Sequence, residues 1–135
     1  MESAINILVV DDEPAICVVM QELLQRKGYH VLTAYDGAAA LAVLESRPMA
    51  VVISDIVMPG MGGIDLLTAI KQKHPRTAVI MMTGYGDAYT IRQILSLGAD
   101  EYITKPFKGD EVSLIVERVI FRMLNGIPAP VGTGK

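Results

Sequence analysis

The stretch VVISDIVMPG, residues 51–60, is an apolar run that carries one carboxylate near its middle. The residues before Asp55 are typical of a buried strand, and Asp55 stands where that strand would end. Pro59 and Gly60 then break the run. An isolated Asp at a strand end is commonly a turn former or a helix cap, so the surrounding sequence has to decide whether Asp55 has a chemical role.

The composition indicates one globular domain. A chain of 135 residues, 51% hydrophobic and 20% charged, has room for a single core. No apolar run approaches the roughly 18 residues that span a bilayer, and the N-terminus does not have the basic start of a secretory signal. We therefore expect a cytoplasmic protein without membrane contact. The net charge of −3 argues against direct contact with nucleic acid, and the single cysteine, Cys17, excludes an internal disulfide and a thiolate metal site.

Hydrophobic periodicity predicts strands that alternate with helices. Strands are expected at 5–10, 30–34, 50–54, 78–82 and 101–104. Helices are expected from the acidic start at 12–14 to the glycine stop at 27–28, from 36–37 to about 47–48, and over 64–73, 87–97 and 110–124. Five strand–helix units with short connections predict an α/β fold, a doubly wound five-stranded parallel sheet with helices on both faces.

The segment NGIPAPVGTGK, residues 125–135, differs in composition from the rest of the chain. It holds three glycines and two prolines, so it is predicted to be a flexible tail or linker stub after a domain at 5–124. Its GTGK sequence is not a phosphate-binding loop, because no strand precedes it.

Polar side chains stand where four of the predicted strands end. In parallel α/β sheets, ligands gather at the carboxyl ends of the strands. The side chains at these ends are, in chain order, Asp11, Asp12, Asp55, Thr83 and Lys105. The predicted sheet would therefore bring three carboxylates, a hydroxyl and an ammonium group to one edge.

Three carboxylates at one edge repel each other, each pair by about 4 kcal/mol at about 4 Å and an effective dielectric constant near 20. Such a cluster must protonate, spread out or hold a cation. Oxygen ligands favour Mg²⁺, which typically takes one or two carboxylates and a phosphate oxygen. With Lys105 also present to neutralise phosphoryl oxygens, the set suits phosphoryl transfer onto Asp55 as the nucleophile.

Four motifs resemble those of the receiver domain of two-component response regulators: LVVDDE, VISDIVMPGMGG, MMTGYG and YITKPF. The resemblance covers Asn6 to about Leu124. It implies a flavodoxin-like sheet of strand order 2-1-3-4-5. It also implies a phosphorylation-activated signalling switch, not an enzyme with a separate substrate, in which Asp55 takes a phosphoryl group from a sensor histidine kinase or phosphotransfer protein.

The same resemblance implies the metal ligands. Asp12 corresponds to the direct Mg²⁺ ligand, and Asp11 to the residue that holds metal-bound water. Asp55 is the phosphoacceptor at the metal. The backbone carbonyl two residues later, which belongs to Val57, corresponds to the third protein ligand.

Further roles follow from the resemblance. Thr83 and Lys105 correspond to the pair that contacts the phosphoryl group. Tyr102 corresponds to the aromatic residue of the switch. The peptide bond between Lys105 and Pro106 is expected to be cis, which would direct the lysine at the site.

Two variable positions of the family, Val57 and Tyr85, flank the approach of water to the phosphoryl group. Valine cannot hydrogen-bond a water and tyrosine is bulky, so a long-lived phosphorylated form is expected. An alternative is that Tyr85 points to solvent and shields nothing.

The output surface is expected on helix four, strand five and helix five. Leu114 and Phe121 fall off the predicted core stripe of helix five. That stripe consists of Val112, Ile115, Val119 and Met123. Leu114 and Phe121 are predicted to form an apolar docking patch for a kinase, an effector or a second receiver, the alternative being that they only edge the core.

Two other classes share parts of this pattern. A Mg²⁺-dependent aspartyl-phosphate phosphatase also places an Asp at a strand end, but it needs a second acid two residues later, where Val57 stands. A flavodoxin-type cofactor binder has the same architecture, but Asp11 and Asp12 would repel the phosphate of FMN.

Overall fold

A computed structural model describes residues 4–84 and 89–128 of the protein. The strands are β1 (Asn6–Val10), β2 (His30–Ala34), β3 (Val51–Asp55), β4 (Ala78–Thr83) and β5 (Glu101–Thr104). The helices are α1 (Pro14–Arg26), α2 (Gly37–Ser46), α3 (Gly63–Lys73), α4 (Ile91–Ser96) and α5 (Gly109–Leu124). Within the two described ranges, no helix combines the length and apolar character that crossing a membrane requires.

The strands form one parallel sheet of order β2-β1-β3-β4-β5, which confirms the predicted fold class. In the register, Val10 of β1 lies opposite Ser54 of β3, and Asp55 of β3 lies opposite Met82 of β4. The carboxyl ends of these three strands therefore lie side by side. They meet at the point where the strand order reverses, which is where such sheets bind ligands.

Local signals explain several helix ends. Pro14 lies in the first turn of α1, where its missing N–H costs no helical hydrogen bond. After the end of α1, Gly28 has a φ of 96°, in the left-handed region that favours glycine. The Asp36 carboxylate caps α2 by accepting a hydrogen bond from the Ala39 N–H at 2.7 Å.

The sheet separates two apolar cores. Along β1, Ile7 and Val9 belong to one cluster, and Leu8 and Val10 belong to the other, because successive strand residues point to opposite faces. Helices α1 and α5 cover the first cluster, while α2, α3 and α4 cover the second. The prediction of helices on both faces is confirmed.

Helix α4 begins later than predicted. The expected span was 87–97, but in the described residues the helix covers Ile91–Ser96. The Thr90 hydroxyl accepts a hydrogen bond from the Gln93 N–H at 3.1 Å, and the Gln93 side chain accepts one from the Thr90 N–H at 2.8 Å. This capping box sets the start of the helix.

The buried face of α5 also differs from the predicted stripe. Val112 and Val119 are buried as expected, but Ile115 is half-buried and Met123 is 37% exposed. The other buried positions are Ser113, Val116 and Ile120. The prediction of Met123 as core was wrong, because the apolar positions that face the sheet follow the i, i+4, i+7, i+8 spacing from Val112. Ile115 packs against the edge of the core.

A buried acid holds α5 against β5. Glu101 is 7% exposed, and its Oε2 accepts hydrogen bonds from Arg118 at 3.0 Å and from Arg122 at 3.2 Å. Arg122 also donates to the carbonyl of Asp100 at 2.9 Å. Two arginines one helical turn apart therefore neutralise one buried carboxylate and fix the helix beside the strand.

Candidate functional site

The carboxyl edge of the sheet holds three acidic side chains. Asp11 directly follows β1, Asp55 ends the neighbouring strand β3, and Asp12 begins the turn toward α1. Each contributes a carboxylate oxygen to a group of atoms that all lie within 4.8 Å of one another. Asp11 is fully buried, Asp55 is 8% exposed, and Asp12 is exposed. The structure thus brings the three predicted carboxylates together at different depths.

Lys105 contacts this cluster from the end of β5. Its Nζ lies 3.0 Å from Oδ2 of Asp11 and 3.1 Å from Oδ2 of Asp55. Its backbone N–H donates to the carbonyl oxygen of Thr83 at 2.8 Å, and the peptide bond between Lys105 and Pro106 is cis. The ammonium group therefore bridges two of the three carboxylates.

Asp11 is held on both carboxylate oxygens. Its Oδ1 accepts a hydrogen bond from the Glu13 N–H at 2.9 Å, and its Oδ2 accepts one from Lys105. The Glu13 carboxylate itself lies 4.0 Å from the Lys105 ammonium group. Glu13 was predicted only as part of a helix start, although the run of three acids after β1 is a signal that it belongs to the site.

Burial and charge shift the pKa of two groups in the cluster. Burial raises the pKa of Asp55 above its ordinary value and the Asp11 charge adds to this, against the opposing effects of Lys105 and the Val57 N–H. For Lys105, burial lowers the pKa, but the carboxylates of Asp11 and Asp55 outweigh it and the pKa is raised. The lysine is therefore charged, and a further cation near Asp55 would stabilise the ionised carboxylate.

The donor set fits a hard divalent cation. Three carboxylates face one ammonium group, so the cluster keeps an excess of negative charge. The acidic donors are oxygens, and the exposed position of Asp12 leaves room for water on one side. Mg²⁺ binds such sites because it prefers oxygen ligands and retains several waters.

Thr83 and Tyr102 lie on the two strands beyond β3. Thr83 ends β4 and is 7% exposed. Because Asp55 pairs with Met82, the residue before Thr83, the threonine lies at the same edge of the sheet as Asp55. Tyr102 pairs with Met81 and lines a groove of 260 Å³ together with residues of α5. Tyr102 is half-buried and lies two residues before the strand end, away from the carboxylates.

The remaining predicted residues lie around the site or on α5. The Val57 side chain is 60% exposed in the loop after β3. Tyr85 falls outside the described residues, so its role stays a prediction. Leu114 and Phe121 are 59% and 60% exposed on α5, as a docking patch requires.

Known proteins share this sequence pattern. Residues 7–117 match the family described as the response regulator receiver domain. The chain is 42% identical over 112 residues to the DNA-binding transcriptional regulator NtrC of Escherichia coli K12, covering 83% of this chain and 24% of NtrC. It is 36% identical over 117 residues to the alkaline phosphatase synthesis transcriptional regulatory protein PhoP of Bacillus subtilis, covering 87% of this chain and 49% of PhoP. The chain thus spans about a quarter to a half of these relatives.

Solved structures share the fold. A response regulator receiver domain protein from Clostridium thermocellum matches with a TM-score of 0.82 and 36% identity, over 87% of this chain and 95% of that protein. NtrX from Brucella abortus matches with a TM-score of 0.86 and 36% identity, over 92% of this chain and 28% of NtrX.

Proposed function

This chain belongs to the response regulator receiver domain family, and we propose that Asp55 is the residue on which it is phosphorylated. Receiver domains are signalling switches activated by phosphorylation, and that is the function of this domain. One observation supports the choice of Asp55 above the others: its carboxylate lies 3.1 Å from the Lys105 ammonium group and stays partly exposed, whereas Asp11, which also contacts Lys105, is fully buried.

Exposure distinguishes Asp55 from the other two acids. Asp11 has no exposed surface, so a phosphodonor cannot reach it. Asp12 is exposed and stands in the turn beyond β1. Asp55 ends a strand whose residues are all buried, yet 8% of it stays exposed. Its carboxylate is therefore held in place and accessible, as a nucleophile must be.

Phosphorylation is a substitution at phosphorus. A carboxylate oxygen of Asp55 forms the new O–P bond, and the donor leaves with the electron pair of the broken bond, which is P–N for phosphohistidine and P–O for acetyl phosphate. The Lys105 ammonium group neutralises charge on the phosphoryl oxygens. The Thr83 hydroxyl donates to one of these oxygens. The domain thereby supplies the groups that promote its own phosphorylation.

The proposed Mg²⁺ ligands lie at the same edge. The ion supplies positive charge that stabilises the phosphoryl oxygens during transfer. Asp12, Asp55 and the backbone carbonyl of Val57 would hold it directly. Asp11 already accepts from Glu13 and Lys105, so it would hold the ion through water.

The switch connects Thr83 to Tyr102. When the phosphoryl group draws the Thr83 hydroxyl toward it, space opens for Tyr102 to move inward, which favours a second packing of α4, β5 and α5. Tyr102 lines a groove with Leu114 and Arg118, so its movement changes the surface of α5. The exposed Leu114 and Phe121 give this surface an apolar patch for a partner.

Response regulators receive phosphoryl groups from histidine kinases and act through effector domains. NtrC and PhoP are transcriptional regulators by name. For this chain we propose a sensor histidine kinase or phosphotransfer protein as the donor, in the cytoplasm. An effector domain or a second copy would bind the α4–β5–α5 surface. We also propose a domain at 5–124, with 125–135 as a flexible tail or linker.

Labelling with a small phosphodonor tests the proposal. The purified protein is incubated with acetyl phosphate in Mg²⁺ or in EDTA, and the modified residue is mapped by borohydride reduction and mass spectrometry. Label on Asp55 that depends on Mg²⁺ is expected. Label on another residue, or equal labelling in EDTA, would contradict the assignment. An aspartyl-phosphate phosphatase would instead release phosphate continuously, and a flavin binder would stay unlabelled.

The exposed Val57 side chain leads to a prediction about the lifetime of the phosphorylated state. Valine cannot orient an attacking water, so Val57→Asn is expected to speed hydrolysis by roughly threefold to tenfold. Phosphate loss is followed in Mg²⁺ after the donor is removed. Val57→Ala is the matched control, since it removes bulk without adding a hydrogen-bonding group. Equal rates for the Asn and Ala variants would mean that Val57 acts only by shielding, and equal rates for Val57→Asn and the parent would mean that it has no effect.

A further inference from the structure

Helix α3 begins in contact with the backbone that carries the phosphoacceptor. Gly63 is the first residue of α3, and its N–H donates to the carbonyl of Ile56 at 2.8 Å. This hydrogen bond closes the loop of residues 56–62 back onto the end of β3. The first turn of α3 therefore packs on the strand end formed by Asp55.

Position 63 has no space for a side chain. A Cβ atom there would overlap the carbonyl oxygen of Asp55, and it would lie 2.7 Å from Cα of Ile56 and 2.8 Å from Cε of Met81. The first two are backbone atoms, which cannot rotate away as the end of a side chain can. Gly63 is not among the described glycines with positive φ. Its lack of a side chain is therefore needed for the close approach and not for the backbone conformation.

Hydrogen bonds also hold the strand end on which Gly63 packs. The Ile56 N–H donates to the carbonyl of Met82 at 3.2 Å, and the Asp55 carbonyl accepts from the Ser54 hydroxyl at 2.9 Å. A methyl group at position 63 would have to push the Asp55–Ile56 backbone or the whole of α3. Either movement alters the surroundings of a carboxylate that lies 3.1 Å from the Lys105 ammonium group.

We propose that Gly63 is a positioning residue for Asp55: the absence of a side chain lets α3 hold the strand end where the Asp55 carboxylate meets Lys105 and the other acids. The proposal rests on the proposed function of Asp55. Phosphoryl transfer depends on the alignment of the attacking oxygen, and a misplacement of about 1 Å can slow a reaction about 100-fold.

The test compares four variants with the parent, with substitutions at Gly63, Gly62, Ile70 and Met81. Gly63→Ala is expected to slow phosphorylation by acetyl phosphate by roughly tenfold to 100-fold, the upper figure being what a misplacement of about 1 Å can cost. Gly62→Ala is the adjacent control, because a Cβ there would lie 3.4 Å from the Ile56 carbonyl, an ordinary contact. Ile70→Ala is the stability control, because Ile70 is a buried residue further along the same helix. Rates are measured at a temperature where each variant is folded by circular dichroism.

A second readout does not depend on phosphorylation. In metal-free protein, the Gly63→Ala variant is expected to change the amide chemical shifts of Asp55, Ile56 and Lys105. The Ile70→Ala variant should leave these three signals close to those of the parent. If the parent is not phosphorylated on Asp55, the proposed function fails, while the shift comparison still tests whether Gly63 positions this strand end.

Three results would overturn the proposal. The first is a Gly63→Ala rate no lower than that of Ile70→Ala. The second is a Gly63→Ala variant that does not fold while Ile70→Ala does, which would assign the glycine to folding. The third concerns Met81→Ala, which removes the side-chain neighbour of Gly63 and keeps its backbone contacts. A loss of rate in that variant as large as for Gly63→Ala would assign the effect to general packing.

Discussion

Replacement of Asp55 by Asn is expected to reduce phosphorylation by acetyl phosphate to below detection. An amide lacks the anionic oxygen that attacks phosphorus, and Asp11 cannot replace it, because Asp11 has no exposed surface. Intact-protein mass spectrometry measures the phosphorylated fraction. Asp65→Asn is the matched control, since Asp65 is an exposed acid in the first turn of α3, and it should be labelled like the parent. Equal labelling of the Asp55→Asn variant would disprove the assignment.

The same variant is expected to be more stable than the parent in EDTA. The raised pKa of Asp55 means that stability contributed by its protonated form is lost as the pH rises through the folded-state pKa. At neutral pH the ionised carboxylate therefore destabilises the fold, within 4.8 Å of two others. Asn keeps the shape and removes the repulsion, so the midpoint of thermal unfolding should rise by a few degrees. A lower midpoint would mean that the contact with Lys105 outweighs the repulsion.

Replacement of Lys105 by Met is expected to have two opposite effects. Without the ammonium group, the carboxylates of Asp11 and Asp55 lose their protein counterion at 3.0 and 3.1 Å. Mg²⁺ should then bind more tightly, by roughly tenfold, because no protein cation competes for these oxygens. Phosphorylation at saturating Mg²⁺ should nevertheless slow by on the order of 100-fold, since no ammonium group neutralises the phosphoryl oxygens. Isothermal titration calorimetry measures the first effect and rates with acetyl phosphate measure the second.

Lys108→Met is the control for the loss of a positive charge. Lys108 is exposed and precedes α5 by one residue, so solvent screens its charge and both measurements should stay close to the parent. Weaker Mg²⁺ binding in the Lys105 variant would contradict the competition between lysine and metal. An unchanged rate would remove Lys105 from the transfer step.

The strands could be predicted because each is an apolar run between polar or glycine breaks. β2 and β5 have the predicted bounds, β1 and β4 differ by one residue at one end, and β3 differs by one residue at each end. The start of α4 was less predictable because a side-chain hydrogen bond sets it. The Thr-x-x-Gln pattern of Thr90 and Gln93 is a capping-box signal. It indicates a helix start at 91 more accurately than the acidic residue at 87 did.

The part of the site that the strand order determines could be predicted from the sequence. Parallel strands end at one edge, so the convergence of Asp11, Asp55 and Lys105 follows from the strand order. The contact of Gly63 with Asp55 does not follow, because it depends on how closely α3 approaches β3. The ion pairs of Glu101 with two arginines of α5 are only weakly indicated by the sequence. The signal is an acidic residue at the start of a strand and two basic residues four positions apart on a helix.

The polar residues at the strand ends also align the strands. Every residue of β3 and β4 is buried. If one strand shifted by one residue against its neighbour, its side chains would change faces, but both faces are mainly apolar, so little burial would be lost. Because both faces are mainly apolar, the alternation of side chains specifies the pairing of these strands only weakly. A slip of β3 that moved Asp55 into the sheet would, however, separate it from Lys105 and leave a buried charge without its partner. The residues proposed to carry the chemistry thus also favour one alignment of the sheet, and an apolar residue in place of Asp55 would remove a folding signal together with the proposed function.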